Sequence, residues 1–467
     1  MTNNTTPTNS LNSDVCYQAL VSKDTRFDGK FYVGVASTGI YCRTVCTAKT
    51  PRRENCTFYP SAAAAEQAGF RPCLRCRPEL APGNSQIDAV SRLAGVAAGR
   101  IEEGALTEQR VADLALELGV SERHLRRVIQ SEFGVSPVDL AQTQRLLLAK
   151  RLLTDTNLPI IDVAFASGFA SLRRFNALFK ERYRLNPSQL RKQRGAETVP
   201  ETLICELAYR PPLDWAGLLA FLGQRLLPGV EAIEESRYLR TVQLKKQRGW
   251  IGVESAKGKE ALRVELSTTL APMLLPLLTR VKRLFDLAAD PAQIGQRLGD
   301  LAAERPGLRV PAAFDGWETA LHTLCPIGQV SKLVHTLGQP IETPFAQLTH
   351  LAPTAQQVVA AAPDVWDAIA WPDEPKQRIC QLAQAVQSRQ LALIPGADIE
   401  QVTTFLRTHL NLDESTVQYL AMRALAWPDA LPQSDPMTSA AIPAEYLKQS
   451  ESWRPWRAYA ALHLWKQ

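Results

Sequence analysis

Two close pairs of cysteines constrain this chain more than any other feature. Cys42 and Cys46 form a C-x3-C pair in GIYCRTVCTAKTPRRENCTFYP, and Cys73 and Cys76 form a C-x2-C pair in FRPCLRCRPE. That spacing suits tetrahedral zinc, which favours thiolate ligands. A metal so held can serve only to fold a small ribbon, or it can also do chemistry. The surroundings bear on the choice: Arg43, Arg52, Arg53, Arg71, Arg75 and Arg77 all lie near the four ligands in sequence. Zinc with four thiolates carries a formal charge of about −2, so an arginine rim would let it approach phosphate.

At 467 residues the chain has room for about three or four domains. Its 45% hydrophobic and 21% charged content fits a globular protein. The net charge is only +6, but the arginines crowd the N-terminal half, which points to a polyanionic partner. No apolar run approaches the roughly 18 residues that span a bilayer. The opening MTNNTTPTNSLNSD is polar and lacks the pattern of a secretion signal, so a disordered tail is expected there. Nine cysteines without such a signal suggest reduced thiols and metal ligation in a cytoplasmic setting.

PELAPGNSQ and RKQRGAETVPET read as linkers, being rich in Pro, Gly and charge without an apolar face. Between them the chain reads as helices. Thr107 is the expected N-cap of a helix with Val111, Leu114, Ala115 and Leu118 on one face. Gly119 then permits a turn, and Ser121 caps a second helix bearing Arg123, His124, Arg126 and Arg127. The same grammar returns with Gly168, Ser171, Arg173, Arg174 and Lys180. Two helix-turn-helix units in tandem are expected. Beyond the second linker, a strand and helix precede three further strands (RYLRTVQL, GWIGVESA, ALRVELST), and from about Asp315 the pattern is helical.

From about Tyr17 to Glu79, the segments GIYCR, RRENCTFY and AGFRPCLRC closely resemble the metal-binding domain of the Ada methylation-repair proteins. The resemblance implies zinc on Cys42, Cys46, Cys73 and Cys76, with Cys42 accepting a methyl group from a DNA methylphosphotriester. Zinc would keep Cys42 a thiolate, the nucleophilic form. The thioether product is stable, so the protein would turn over once. Losing one negative charge at the site should raise DNA affinity. Cys16 and Cys56 read as ordinary thiols outside the quartet.

From about Ile87 to Gln193 the chain resembles the AraC-family DNA-binding domain. The N-terminal residues of recognition helices enter the major groove. Ser121, Arg123, His124, Ser171, Arg173 and Arg174 are therefore expected to face double-stranded DNA. A regulator of this kind would also engage RNA polymerase. Asn186–Pro187 resembles the family's closing turn.

From about Glu206 onward, LAYRPPLDWAGLLAFLGQRLLPGVEAIEESRYLRTV and WRPWRAYAALHLW resemble the AlkA-type 3-methyladenine DNA glycosylases. The resemblance implies base flipping and cleavage of the glycosidic bond, with Asp435 of LPQSD as the catalytic carboxylate. Tyr419 and Trp465 match pocket aromatics, and Trp453 and Trp456 read as packing. The family's helix-hairpin-helix glycines are replaced here by LNLDESTVQY, so Asn411, Asp413 and Glu414 would put bulk and negative charge where hairpin amides approach a phosphate. Ser415 stands in place of the usual pocket tryptophan. No PCHR-type motif of the O6-alkylguanine transferases occurs, and Cys205, Cys325 and Cys380 read as ordinary thiols.

The expected architecture is multidomain and mainly α with α+β parts. Its segments are a tail (1–13), an Ada-type zinc domain (14–80), an AraC-type double helix-turn-helix (86–193), an AlkA-type α+β N-domain (203–314) and a helical helix-hairpin-helix glycosylase domain (315–467). Two functional readings follow. In one, a suicide methyltransferase and regulator also excises alkylated bases such as 3-methyladenine. In the other, the protein is a methyl-sensing activator whose glycosylase half has decayed.

Overall fold

The computed structural model describes residues 12–82, 92–191, 202–325 and 328–465. The expected tail before Asn12, the end of the first expected linker (83–86) and most of the second (192–201) lie outside the described residues, while Pro78–Leu80 of the first linker form a short 3-10 helix. The chain divides into two compact units: Met1–Arg210 with Ala271–Thr279, and Pro211–Leu270 with Arg280–Gln467.

The first unit begins with a four-stranded sheet in the order Cys56–Tyr59, Tyr32–Val35, Ile40–Cys42, Arg71–Pro72. Its last pairing is parallel, setting Ile40 opposite Arg71 and Tyr41 opposite Pro72. Gly34 permits this sheet to be covered, since a Cβ there would lie 2.8 Å from the Tyr59 ring. Val33, Phe31, Leu20 and Cys16 pack on one side, and Tyr32, Tyr41, Ala62 and Ala65 form a second cluster with Leu147.

The tandem helices follow. Val111–Glu117 and Glu122–Phe133 flank Gly119, whose φ of +68° is the left-handed turn that glycine adopts without strain. Ser121 caps the second helix by accepting from the His124 amide at 3.2 Å. Ile160–Ala166, Gly168 at φ +79°, the Ser171 cap and Leu172–Tyr183 repeat the arrangement. Thr107, expected as an N-cap, instead lies within a short helix, Ala105–Glu108. The following helix starts at Arg110, whose amide donates to the Asp113 carboxylate at 2.9 Å. That carboxylate satisfies the N-cap amide, the half of a capping box that the third helical residue supplies.

A 19-residue helix, Pro137–Asp155, stands between the two units of this pair and is buried along most of its length. Ala63 and Ala64 of the zinc-domain helix share one apolar cluster with Leu114, Leu125 and Ile129, so the cysteine-bearing and helix-turn-helix segments have a common core. Polar groups reinforce it. Glu66 accepts from Tyr41 Oη at 3.0 Å and from Thr143 Oγ1 at 3.1 Å, and Lys150 Nζ lies 2.6 Å from Glu79 with both side chains at most 2% exposed.

In the second unit, Glu231–Glu234, Arg237–Leu244, Gln247–Ser255 and Ala261–Ser267 form an antiparallel meander. The first of these strands was not expected from the sequence, because a four-residue EAIE run carries little strand signal. Trp215–Gly223 precedes the meander, capped by Asp214, which accepts from the Gly217 amide at 2.8 Å. Beyond Asp315 the helices include Gly316–Leu324, Ile399–Thr408, Glu414–Arg423 and Arg457–Leu464. Among the described residues, no helix is long and apolar enough to cross a membrane.

Candidate functional site

Strand pairing builds the cysteine site. Parallel register puts Tyr41 beside Pro72, and the next residues on each strand are Cys42 and Cys73. The Cys73 amide donates to Tyr41 O at 3.0 Å, which fixes that approach. Cys46 and Cys76 come from the turns just beyond. All four sulfurs lie within 4.8 Å of one another. Tetrahedral zinc with Zn–S bonds of about 2.3 Å needs sulfurs about 3.8 Å apart, so the donor set fits. The Arg43 amide donates to Cys76 Sγ and the Arg75 amide to Cys73 Sγ, both at 3.4 Å, which suits thiolate acceptors. Hydrogen bonds among the four thiols push Cys42 and Cys76 up and pull Cys46 and Cys73 down, so the sulfurs share protons. A bound cation is what would let all four be thiolates together. Cys46 and Cys73 are buried, whereas Cys42 and Cys76 are partly exposed.

The arginine rim is thinner than its sequence suggests. Arg43 is buried, with its Nε 2.8 Å from Asp28 and one terminal nitrogen on Cys76 O. It braces the site from inside. Arg77 joins Glu79 and Asp155 at 3.0 and 2.7 Å. Arg52 pairs with Glu54 at 3.6 Å, and both side chains stay exposed, at 85% and 71%.

Of the expected DNA-facing residues, Ser121, Arg123, Ser171, Arg173 and Arg174 are exposed and His124 is partly exposed. Both serines already accept from backbone amides as caps. Their first role is to start the helices.

In the second unit, Asp435 is 1% exposed. Its Oδ1 accepts from the Met437 amide at 2.9 Å, and its Oδ2 accepts from Thr438 Oγ1 at 2.8 Å and pairs with Arg225. A small cleft adjoins it, with walls that include Arg225, Glu231, Arg240, Glu318, Tyr419 and Arg423, and Asp435 itself lies behind Arg225, outside that wall. Arg240 bridges Glu231, at 3.0 Å, and Glu318. Burial pushes Glu318 up to about 7. Tyr419 Oη accepts from Arg423 at 3.1 Å. Trp465, expected in the pocket, is buried behind Tyr419 with ring centroids 6.4 Å apart and is absent from the cleft wall. Trp453 and Trp456 are buried.

The hairpin departs from expectation in one respect. Asn411 adopts a left-handed φ of +49°, a conformation that Asn tolerates better than most residues. The expected negative charge stays at the surface, with both acids exposed but partnered. Asp413 caps Glu414–Arg423, accepting from Thr416 N at 3.0 Å and Thr416 Oγ1 at 2.6 Å, and Glu414 lies 2.7 Å from Arg407. Ser415 Oγ accepts from the Ser434 amide at 3.1 Å, tying the hairpin helix to the Asp435 loop. Sequence reasoning missed Arg225 and Arg423. Their signal was arginine inside the otherwise apolar runs LLAFLGQRLL and YLAMRALAW.

Comparison with known proteins finds three family matches. Residues 15–79 match the metal binding domain of Ada, 114–193 a helix-turn-helix domain and 204–315 the AlkA N-terminal domain. The probable bifunctional transcriptional activator/DNA repair enzyme AlkA of Mycobacterium tuberculosis (strain ATCC 25618 / H37Rv) is 34% identical over 96% of this chain and 95% of its own. DNA-3-methyladenine glycosylase 2 of Escherichia coli (strain K12) is 29% identical over 56% of this chain and 95% of its own. The bifunctional transcriptional activator/DNA repair enzyme AdaA of Bacillus subtilis (strain 168) is 29% identical over 40% of this chain and 85% of its own.

Proposed function

This chain belongs to the family of the bifunctional transcriptional activator/DNA repair enzyme AlkA, and from that premise we propose that it couples repair of alkylated DNA to transcriptional regulation through two chemically separate sites. Zinc is the cofactor of the first, held by Cys42, Cys46, Cys73 and Cys76. The convergence of four sulfurs by strand register carries this reading. Zinc bound there supplies the charge that keeps sulfur anionic at neutral pH.

Cys42 Sγ is the methyl acceptor. Its lone pair forms the S–CH3 bond as the methyl–oxygen bond of the phosphotriester breaks, and the phosphate oxygen recovers its negative charge. Partial exposure of Cys42 supports this assignment. Ser121, Arg123, His124, Ser171, Arg173 and Arg174 present the helix-turn-helix pair to duplex DNA, and RNA polymerase is the partner through which bound protein would activate a promoter in the cytoplasm. The segments 14–80, 86–193, 203–314 and 315–467 are the modules we assign.

In the second unit, Asp435 is assigned the glycosylase carboxylate, with Tyr419 on the cleft wall for the flipped base and Trp465 backing Tyr419 from behind. The bond from C1′ to the base nitrogen breaks with its electrons on the leaving base, and water adds at C1′. A second reading, an activator with a retired glycosylase, is favoured by one observation: Asp435 is 1% exposed with both oxygens engaged. The deciding experiment follows release of free 3-methyladenine from alkylated duplex, comparing wild type with Asp435→Asn. Release that vanishes in the variant supports a working glycosylase. No release from either, with methyl transfer to Cys42 intact, leaves the activator reading.

A further inference from the structure

The buried cation beside Asp435 has a consequence for how that carboxylate works. Arg225 follows the helix Trp215–Gly223, and three contacts fix its guanidinium. One terminal nitrogen donates to Phe221 O at 2.6 Å, the guanidinium carbon stands 3.7 Å from the centroid of the Phe221 ring, and the other terminal nitrogen pairs with Asp435. The Arg225 side chain is 4% exposed and that of Asp435 is 1% exposed. Arg225 Nε is buried without a hydrogen-bond partner, so the guanidinium is held strongly but incompletely.

The other charged groups around this cleft largely cancel. Arg240 lies between Glu231 and Glu318. Asp315 pairs with Arg280 at 3.0 Å. Burial pulls His322 down and so favours its neutral form. On the helix Glu414–Arg423, Arg423 donates to Tyr419 Oη. Among the described groups, Arg225 is the cation in direct contact with Asp435.

We propose that Arg225 is the positioning residue of the glycosylase site: its guanidinium, which lines the cleft and pairs with the buried Asp435, keeps that carboxylate anionic at rest, and it yields that place to the positive charge that develops at C1′. This rests on the reading of Asp435 as the catalytic carboxylate. A buried carboxylate without a counter-charge takes up a proton, and a protonated one cannot stabilise a sugar cation. A guanidinium that stayed in contact would itself oppose that cation. Arg225 therefore has opposite effects in two pH ranges. At low pH its charge keeps the site active; at high pH its presence slows the chemistry.

The test is single-turnover release of 3-methyladenine from alkylated duplex by the full chain from pH 5 to 9, using wild type, Arg225→Gln, Arg225→Lys, Glu318→Gln and Asp435→Asn. Arg225→Gln should move the acid limb of the rate up by about 1–3 pH units, with a high-pH plateau equal to or above wild type. Arg225→Lys keeps the charge and should return the limb. Glu318→Gln should leave the limb in place, which separates Asp435 from the other acid near neutrality. A limb unmoved in Arg225→Gln, or one that Arg225→Lys fails to restore, overturns the proposal. A purely structural role would lower the plateau and leave the limb where it was. Release that persists in Asp435→Asn instead overturns the reading of Asp435, and no release by wild type overturns both.

Discussion

The quartet of cysteines and the buried aspartate make an instructive pair. Both were picked out by short motifs, and to both we assign an anionic side chain for chemistry on alkylated DNA. The structure treats them in opposite ways. Around Cys42, strand register gathers four donors, two of them partly exposed. Around Asp435, every oxygen is occupied and a guanidinium seals the face. A soft thiolate needs a strong cation to exist at neutral pH, so its neighbours are ligands. A carboxylate is anionic unaided in water but not when buried, so its neighbours must be donors and a counter-charge.

The comparison breaks most sharply at Cys42. Cys42→Ala should reduce labelled methyl transfer from methylphosphotriester DNA to background, while base release in the second unit stays at wild-type level. Transfer that survives would move the acceptor elsewhere in the quartet, with partly exposed Cys76 next in line. Asp435→Asn should have the reciprocal effect, lowering base release by about 100-fold or more and leaving methyl transfer alone.

Next in size comes the buried pair of Lys150 and Glu79. Lys150→Met leaves the buried Glu79 carboxylate with Arg77 as its remaining cation and should cost about 1–3 kcal/mol, less than the full loss of a buried counter-charge. Urea unfolding of the first unit measures it, and loss of methyl transfer at a lower urea concentration would accompany it. The double variant Lys150→Met, Glu79→Leu should recover much of that loss.

Both units also carry a carboxyl that burial pushes up to about 7, Glu66 in the first and Glu318 in the second. A raised carboxyl binds its proton more tightly in the folded state than in the unfolded chain. Each unit should therefore lose stability as pH climbs from about 4.5 to about 7, by up to about 3 kcal/mol. Thermal melts across that range should flatten for the first unit in Glu66→Gln and for the second in Glu318→Gln. A melt unchanged by either substitution would remove that carboxyl from the account.

The smallest effect belongs to the hairpin. Asp413→Ala removes the cap on Glu414–Arg423, which should cost about 1 kcal/mol. It also frees the Thr416 amide and deletes a negative charge, so duplex affinity of the second unit should rise modestly at low salt. Weaker binding would show that Asp413 supports the DNA-facing shape of the hairpin instead of opposing phosphate.

The tandem helices and the cysteine quartet were legible because each depends on local rules. A glycine turn, a serine cap and a 3.6-residue apolar period specify Glu122–Phe133 and Leu172–Tyr183 without distant partners. The start at Arg110 was not legible because arginine is not a capping residue, and the side chain that marks the start is the Asp113 carboxylate on the Arg110 amide. Arg43 looked like part of a basic rim, and only the position of Asp28, 15 residues earlier, turned it inward.

By itself, then, the sequence marked out the four cysteines as a zinc site and the two serine-capped helices, since motif spacing and local hydrogen bonds suffice to flag each, while strand register brings the two cysteine pairs together. Tertiary structure alone decided which arginines face solvent and what stands against Asp435. Arg225 and Asp435 are 210 positions apart, and no local rule pairs charges across such a distance. Burial pairs them, because neither charge can leave water without the other.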